Sequence, residues 1–342
     1  MRLSLPKIEL RLDAGKRYAG IHITPIVAKA GKNAVVQKFL WEGIDNKSVE
    51  IQEHKTQSVP TVTVINRSKE TFLGYRGSII RGGGQNRQLV HSFVLPEGAT
   101  LDIPVQCIQH GRWNPHQSKE FSSKAGDITS STLRFQKKSQ HETWRTIDET
   151  STLSGTTSHT QDYTVVHDYL LGSADEMKHA TSQISGTDRA SDSKRSKSRE
   201  RAQQIAKDFA EPIVEQVGLY VTMVDPFDWK EGKVRLIHSI ELFTAPELYR
   251  KVHKDLIASF AMDAALLQND EVSAHFYEDK MPDKLQTDTF DGLVKQVLDS
   301  PWKKQEKIGS EARHELTAAD NFGEMVSSGE ELLHLMYASY VS

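Results

Sequence analysis

Apolar residues in the first third of the chain recur at alternate positions. Ile8, Leu10 and Leu12 alternate with charged residues, the period-two pattern of a half-buried strand. Val62 and Val64 repeat it within 59–65, and further strand-like stretches follow at 71–80, 89–95 and 100–108. The tetrapeptide PEGA joins the last two, a hairpin signal. Connections this short favour antiparallel pairing. Residues 33–42 break the pattern: Val35, Val36, Phe39 and Leu40 share a helical face that ends at Gly43.

From 117 to 200 the periodicity fades. Ser, Thr, Gln, His and Asp dominate, with Phe121, Leu133, Phe135, Trp144 and the stretch from Tyr163 to Leu171 as anchors. The run SGTDRASDSKRSKSRER has almost no apolar surface, so a polar, partly disordered insertion is expected at about 117–200. Helical spacing returns with Ala202, Ile205, Phe209, Ile213 and Val217, interrupted by Pro212. Residues 217–224 and 234–242 read as strands. Thr244-Ala-Pro-Glu247 has the form of a capping box and opens a helix carrying Leu248, Val252, Leu256, Phe260 and Leu267. Another helix fits 290–298, and the alternation of Leu333, Leu335, Tyr337 and Ser339 predicts a closing strand. That strand needs a sheet to join, so both halves are expected to share one. The expectation is an α+β fold in a single domain, 1–341. Its core is a mostly antiparallel β-sheet from the N-terminal half plus the C-terminal strand, with helices of the C-terminal half on one side.

The hydrophobic content of 37% is low for a 342-residue globular chain, and the polar insertion accounts for it. Lys plus Arg number 43 against 46 Asp plus Glu, and the net charge of −3 supplies no global pull toward nucleic acid or an anionic membrane. No apolar run approaches the roughly 18 residues that span a bilayer, and the opening MRLSLPKIELRLDAG lacks the apolar core of a signal peptide. A soluble, cytoplasmic protein is expected. One cysteine, Cys107, excludes an intrachain disulfide and a multi-cysteine metal cage. His110 and His116 lack helical HxxxH or HExxH spacing, so no metal site is expected.

Candidate chemistry concentrates in two segments. In the first, Arg81, Gly82, Gly83, Gly84, Gln85, Asn86 and Arg87 are consecutive between two strands. Three glycines expose backbone N–H groups that can cup an anion, and the arginine forks match phosphate or carboxylate. The same residues also suit a glycine-rich bulge with solvated arginines and Asn86 bonded to its own backbone. The spacing is neither a P-loop nor a dinucleotide fingerprint. The second segment runs from Cys107 through Gln109 and His110 to Arg112 and Trp113. Arg112 beside Trp113 can clamp a phosphate and stack a base, or serve as a packing anchor with Arg112 covering it. Cys107 suits a small core residue better than a nucleophile, and His110 is a weak acid–base candidate. The basic run from Lys194 to Arg201 can tether an acidic partner or nucleic acid. A solvated linker into a helix is preferred, because no RNA-binding aromatic motif or helix-turn-helix accompanies it.

Together, NRSKETFLGYRGSIIRGGGQNR and IPVQCIQHGRW resemble the ARG and rhodanese-phosphatase superfamily associated protein domain, where ARG stands for ADP-ribosylglycohydrolase. The residues carrying the resemblance are Gly77, Gly83, Gln85, Asn86, Arg87, Ile103, Pro104, Val105, Cys107, Gly111, Arg112 and Trp113. Trp144 and the segments VGLYVTMV, LFTAPELY and ELLHLMY extend it over about 15–341. The resemblance implies a genomic association with ADP-ribosyl and NAD-utilising systems. It therefore implies a small nucleotide-like ligand, NAD or ADP-ribose, in a cleft shared by the two segments, and it assigns no cofactor. In that reading Arg81, Arg87 and the glycines hold a diphosphate, Gln85 and Asn86 the ribose, and Arg112 with Trp113 the base. The family pattern carries glutamates where this chain has Ser78 and Gln109. If those acids perform proton transfer, this chain binds without turnover, and Asp102 with His110 are the remaining weak catalytic candidates. Two functions stay open: binding or processing of an ADP-ribose- or NAD-derived ligand, and non-catalytic recognition of a modified protein or nucleic acid. Net charge disfavours the nucleic acid.

Overall fold

The alternating stretches resolve into three sheets in the computed structural model. It describes residues 7–18, 20–28, 36, 38–53, 60–110, 120–135, 139–185, 189–227, 235–243, 245–267, 283–309, 311–318, 320–328 and 331–341. The fold is α+β, with eight helices and eighteen strands among the described residues. The largest sheet has nine strands. Its centre is Ile21–Ala28, Gln216–Val224, Leu236–Phe243, Glu331–Val341 and Asn321–Ser328, each antiparallel to the next. The closing strand thus shares a sheet with Ile21–Ala28 of the N-terminal half, as the need of that strand for a sheet implied. Half of the twelve described strands before residue 123 form a separate six-stranded antiparallel sheet, ordered Phe121–Ser122, Ile79–Gly82, Arg87–Leu89, Thr100–Cys107, Thr61–Asn66, Val49–Glu53.

The hairpin expected at PEGA does not form. Phe93–Leu95 pairs with Phe72–Gly74 in a small three-stranded sheet, while Thr100–Cys107 pairs with Thr61–Asn66 and Arg87–Leu89. Asn66 fixes the crossover: its amide donates to the carbonyls of Pro96 and Glu70, each at 2.7 Å. The stretch 33–42 also divides differently, into the strand Lys38–Phe39 and the helix Leu40–Asp45. Residues 29–35 and 37 lie outside the described set.

Helices cover both faces of the large sheet, a departure from the one-sided arrangement expected. Strand Gln216–Val224 is buried at every position. Leu219, Val221 and Met223 face the helix Pro246–Ala264 through Leu248, Val252, Leu256 and Phe260. Tyr220 and its neighbours Ile240 and Leu242 meet Phe290, Leu293 and Val297 of the helix Asp283–Asp299 on the other side. Helix Pro246–Ala264 begins at a proline, whose missing N–H costs nothing in the first turn, with Ala245 at the N-cap. The capping residue expected there, Thr244, is outside the described set.

The polar stretch 117–200 contains four substantial helices, Gln140–Ser154, Tyr163–Leu171, Ala174–Gln183 and Arg189–Asp208, the last running beyond it. Capping explains why so little hydrophobicity suffices. Ser139 and Ser173 form capping boxes with Glu142 and Glu176, and Asp162 caps Tyr163–Leu171. Thr143, Thr146, Thr150 and Ser154 are buried, yet each hydroxyl donates to the carbonyl four residues earlier, at 2.7–3.1 Å. Their polar groups are satisfied inside the helix, so the methyl and methylene surface is free to pack.

Candidate functional site

The glycine turn links two short paired strands, with Ile80 opposite Arg87. Gly82 and Gly83 have φ of 105° and 59°, and a Cβ on Gly82 would lie 2.3 Å from the Glu120 carbonyl oxygen. Only glycine fits there. Two of the three glycine N–H groups are engaged within the protein. Gly84 N–H donates to Glu53 Oε1 at 3.1 Å, and Gly82 N–H donates to Asn86 Oδ1 at 3.0 Å. Arg87 is fully buried and grips the same Glu53 carboxylate at 2.7 and 2.9 Å. A protein carboxylate therefore occupies the cup predicted for a ligand anion. Asn86 ties the turn outward: its Nδ2 donates to Asp162 Oδ2 at 3.0 Å and to Thr164 Oγ1 at 3.3 Å. Burial raises the Asp162 carboxyl above its ordinary range. Gln85 is buried, and its side-chain amide has no hydrogen bond among the described residues.

Arg81 leaves the turn in the opposite direction and is clamped between two acids. It meets Asp127 Oδ1 at 2.7 Å and Asp168 at 2.7 and 2.8 Å, so every guanidinium nitrogen is used. Neither fork is solvated, and neither is presented to a diphosphate. Burial pushes the Asp168 carboxyl up, but hydrogen bonds from His167 and Arg81 outweigh it and hold the group well below the usual carboxylate range. His167 places Nδ1 2.9 Å from Asp168 Oδ1 and Nε2 2.7 Å from the Gly126 carbonyl. Both ring nitrogens face acceptors, and Arg81 Nη2 also lies 3.4 Å from Nδ1. On the far side of the same turn, Gly126 N–H donates to Asp255 Oδ1 at 2.7 Å, and Asp255 Oδ2 accepts from the Tyr75 hydroxyl. Burial pushes the Asp255 carboxyl up to about 6, despite those two bonds.

His167 and Gly126 of this cluster line a cavity of about 360 Å³ together with Lys124, Glu176, Ala206 and Lys254, among others. Lys124 pairs with Glu176, and Lys254 approaches Glu211 at 3.5 Å. The volume falls within the range of small-ligand sites, which is roughly 300–1,000 Å³.

Several predicted residues stand apart. Asp102 is exposed and accepts from Thr63 Oγ1 at 2.7 Å. It lies five positions before Cys107, the register partner of Arg87, hence about 17 Å along the strand. The His110 ring sits edge-on to Trp144, with centroids 4.3 Å apart. Cys107 is buried and its thiol is raised by burial, as suits a core residue. Arg112 and Trp113 lie outside the described residues. Sequence reasoning missed Asp127, His167, Asp168, Asp255 and Tyr75. Asp255 did leave a signal: it sits next to Leu256 and three residues after Val252, on the apolar stripe of its helix.

A second polar cluster is buried behind the large sheet. Ser92 Oγ is 3.0 Å from His334 Nδ1, and His334 Nε2 is 3.1 Å from Glu241 Oε1. The order resembles a nucleophile–base–acid relay, but the three residues are 0–1% exposed. Arg134 also binds Glu241, and Arg76 with His91 flanks Glu324 nearby. We read this as charge balance within the core.

The chain matches the family model for the ARG and Rhodanese-Phosphatase-superfamily-associated Protein domain over residues 9–338. It belongs to that family. No curated protein matches it, and no solved structure does. Within this family member the two departures from the expected glutamates have visible consequences. Ser78 Oγ donates to the Tyr75 carbonyl at 2.8 Å, closing the turn before the glycines. Gln109 Oε1 accepts from the Asn86 N–H at 3.3 Å, a contact a carboxylate oxygen would make equally. Among the described residues no helix is long and apolar enough to cross a membrane.

Proposed function

We propose that the chain recognises an ADP-ribose- or NAD-derived ligand in the cavity beside His167, as a binding module of an ADP-ribosylation or NAD-utilising pathway. One observation carries this reading. A cavity of ligand size is lined by His167 and Gly126, and the Asp168 carboxylate that meets His167 Nδ1 also binds Arg81, the residue that opens the glycine–QNR segment. The segment then works as the scaffold of the site, with Arg81 and Arg87 committed to internal acids. Lys124 and Lys254 at the rim supply the positive charge that a phosphate needs.

Recognition without turnover is favoured over processing by the same geometry. Both His167 nitrogens are engaged, and Asp255 is 1% exposed behind Gly126. Neither group transfers a proton to a ligand without first breaking its present bonds. The test is thermal unfolding against NAD, ADP-ribose, AMP and ribose 5-phosphate. Ligand at 100 times its dissociation constant adds about 2.7 kcal/mol, which a melt resolves. A shift that Lys254→Glu removes supports the cavity. No shift with any of the four sinks the small-nucleotide reading. Conversion of a bound ligand to products would replace recognition with catalysis.

A further inference from the structure

The basic run from Lys194 to Arg201 forms no solvated linker; it lies within the helix Arg189–Asp208, where Arg195 and Arg199 bond the carbonyls of Gly155 and Tyr169. Polar chemistry that the fold leaves unused lies instead at the edge of the large sheet. The last three strands there are Asn321–Ser328, Ala312–Ala318 and Lys303–Lys304. Their register sets Met325, His314 and Lys304 side by side, one from each strand. Directly opposed residues of antiparallel strands share a face, so the three form a row. Past the last turn of helix Asp283–Asp299, Ser300, Pro301 and Trp302 lead the chain into the edge strand. A cavity of about 500 Å³ opens between that turn and the row.

We propose that this cavity binds a small aromatic carboxylate, at a site separate from the cavity beside His167. One wall is aromatic and fixed in place. Trp302 Nε1 donates to the Val297 carbonyl at 2.8 Å, and the ring lies so close to Gly323 that a Cβ there would meet Trp302 Cη2 at 2.6 Å. An indole held on two sides receives a ligand ring without the cost of ordering its own side chain. Met325 adds a polarisable thioether suited to an aromatic edge, and Leu298 and Pro301 complete the apolar surface. The polar wall carries one sign of charge. Lys304 is exposed and forms no ion pair among the described residues. His314 lines the cavity at 6% exposure, and its Nδ1 is buried with no hydrogen-bond partner among the described residues. A buried ring left unsatisfied by the fold gains from a ligand that accepts its N–H. No acid lines the cavity among the described residues, so an anionic head meets no repulsion there. Ser300 takes no part, because its hydroxyl donates to the Gln296 carbonyl at 2.6 Å. The volume lies within the range of small-ligand sites, roughly 300–1,000 Å³. A single ammonium matches one carboxylate better than a diphosphate.

The inference rests on the residues of this sheet edge and stands independently of the cavity beside His167. Calorimetric titration of the full chain with phenylacetate, benzoate and phenylacetamide tests it. Both carboxylates are expected to bind, and phenylacetamide, with the same ring and no charge, to bind roughly fivefold more weakly than phenylacetate. Lys304→Gln, at an exposed position, should weaken phenylacetate by the same roughly fivefold, leave phenylacetamide unchanged and leave the melting temperature without ligand unchanged. Ala312→Trp puts a large side chain into the cavity and should abolish binding of both. Lys254→Glu, in the cavity beside His167, should leave both intact. Silence from both carboxylates overturns the proposal, as does phenylacetamide binding as tightly as phenylacetate. Phenylacetate binding unchanged in Lys304→Gln, or lost in Lys254→Glu, overturns the assignment to this cavity.

Discussion

Replacing Arg81 with methionine keeps most of the side chain's length and removes its charge, leaving two acids without their shared partner. Asp127 and Asp168 have side chains 1% and 10% exposed, and the Arg81 side chain is 21% exposed, so solvent screens the cluster weakly. Removing one member of a buried ion pair costs about 3–5 kcal/mol, because the remaining charge stays buried. The loss at pH 7 should fall in that range, and His167, paired with Asp168, keeps it from exceeding it. The pH dependence carries more information than the size. In the unaltered protein the Asp168 carboxyl is held below its unfolded value, so its stabilisation is present above about pH 4 and disappears as pH falls through the folded value. In Arg81→Met the burial that Arg81 opposed should raise that carboxyl above its unfolded value. The folded state then binds more protons than the unfolded one, and the deficit should shrink as pH drops from 7 toward 5. Urea unfolding followed by tryptophan fluorescence at pH 5, 6 and 7 measures this. A loss under about 1 kcal/mol at pH 7, or a deficit constant across the three pH values, refutes the argument that Arg81 neutralises a buried acid pair.

Three further substitutions, with Gly98→Ala as a control, separate the parts of the site. Glu53→Ala leaves the fully buried Arg87 without its carboxylate and should destabilise by about 3–5 kcal/mol in the same urea assay. Asp255→Asn can keep both existing contacts, accepting from Gly126 N–H and donating to the Tyr75 oxygen. Because the folded Asp255 carboxyl sits near 6, the native protein loses stability as pH rises from about 4 to 6, by about 3 kcal/mol from this group, and the asparagine variant should lose that slope. An unchanged slope would mean that Asp255 titrates normally. Gly82→Ala forces a Cβ to 2.3 Å from the Glu120 carbonyl oxygen at φ 105°, and should cost more than about 1 kcal/mol, whereas Gly98→Ala, with open space around it, tests φ alone.

The legible parts of the fold were those set by local patterns. The stretches 217–224 and 234–242 read as strands and formed Gln216–Val224 and Leu236–Phe243, alternation placed Glu331–Val341, and the apolar stripe placed Pro246–Ala264. What failed was partner choice. PEGA has the composition of a hairpin turn, but composition cannot encode that Asn66 binds both ends of the segment and routes it between sheets. The polar helices were missed because hydrophobicity was the signal sought. Capping residues and threonines that satisfy themselves carry that region, and Ser139 with Glu142 was readable as a capping box.

The same distinction explains the site. The glycine–QNR segment was conspicuous because three consecutive glycines stand between arginines, which suits either an anion site or a glycine-rich bulge. Its glycines are required by backbone geometry, and its arginines face Glu53, Asp127 and Asp168, acids drawn from three distant stretches. A fork that can hold a phosphate holds a carboxylate equally well. Choosing between them needs the acids' positions, and pairing across 46 and 87 residues leaves no periodic trace in sequence. The consequence for function is specific. Substituting Arg81 or Arg87 perturbs folding and binding together, so neither variant identifies a ligand. Lys254, exposed in the wall of the cavity beside His167, is the position whose substitution tests binding with the scaffold left in place.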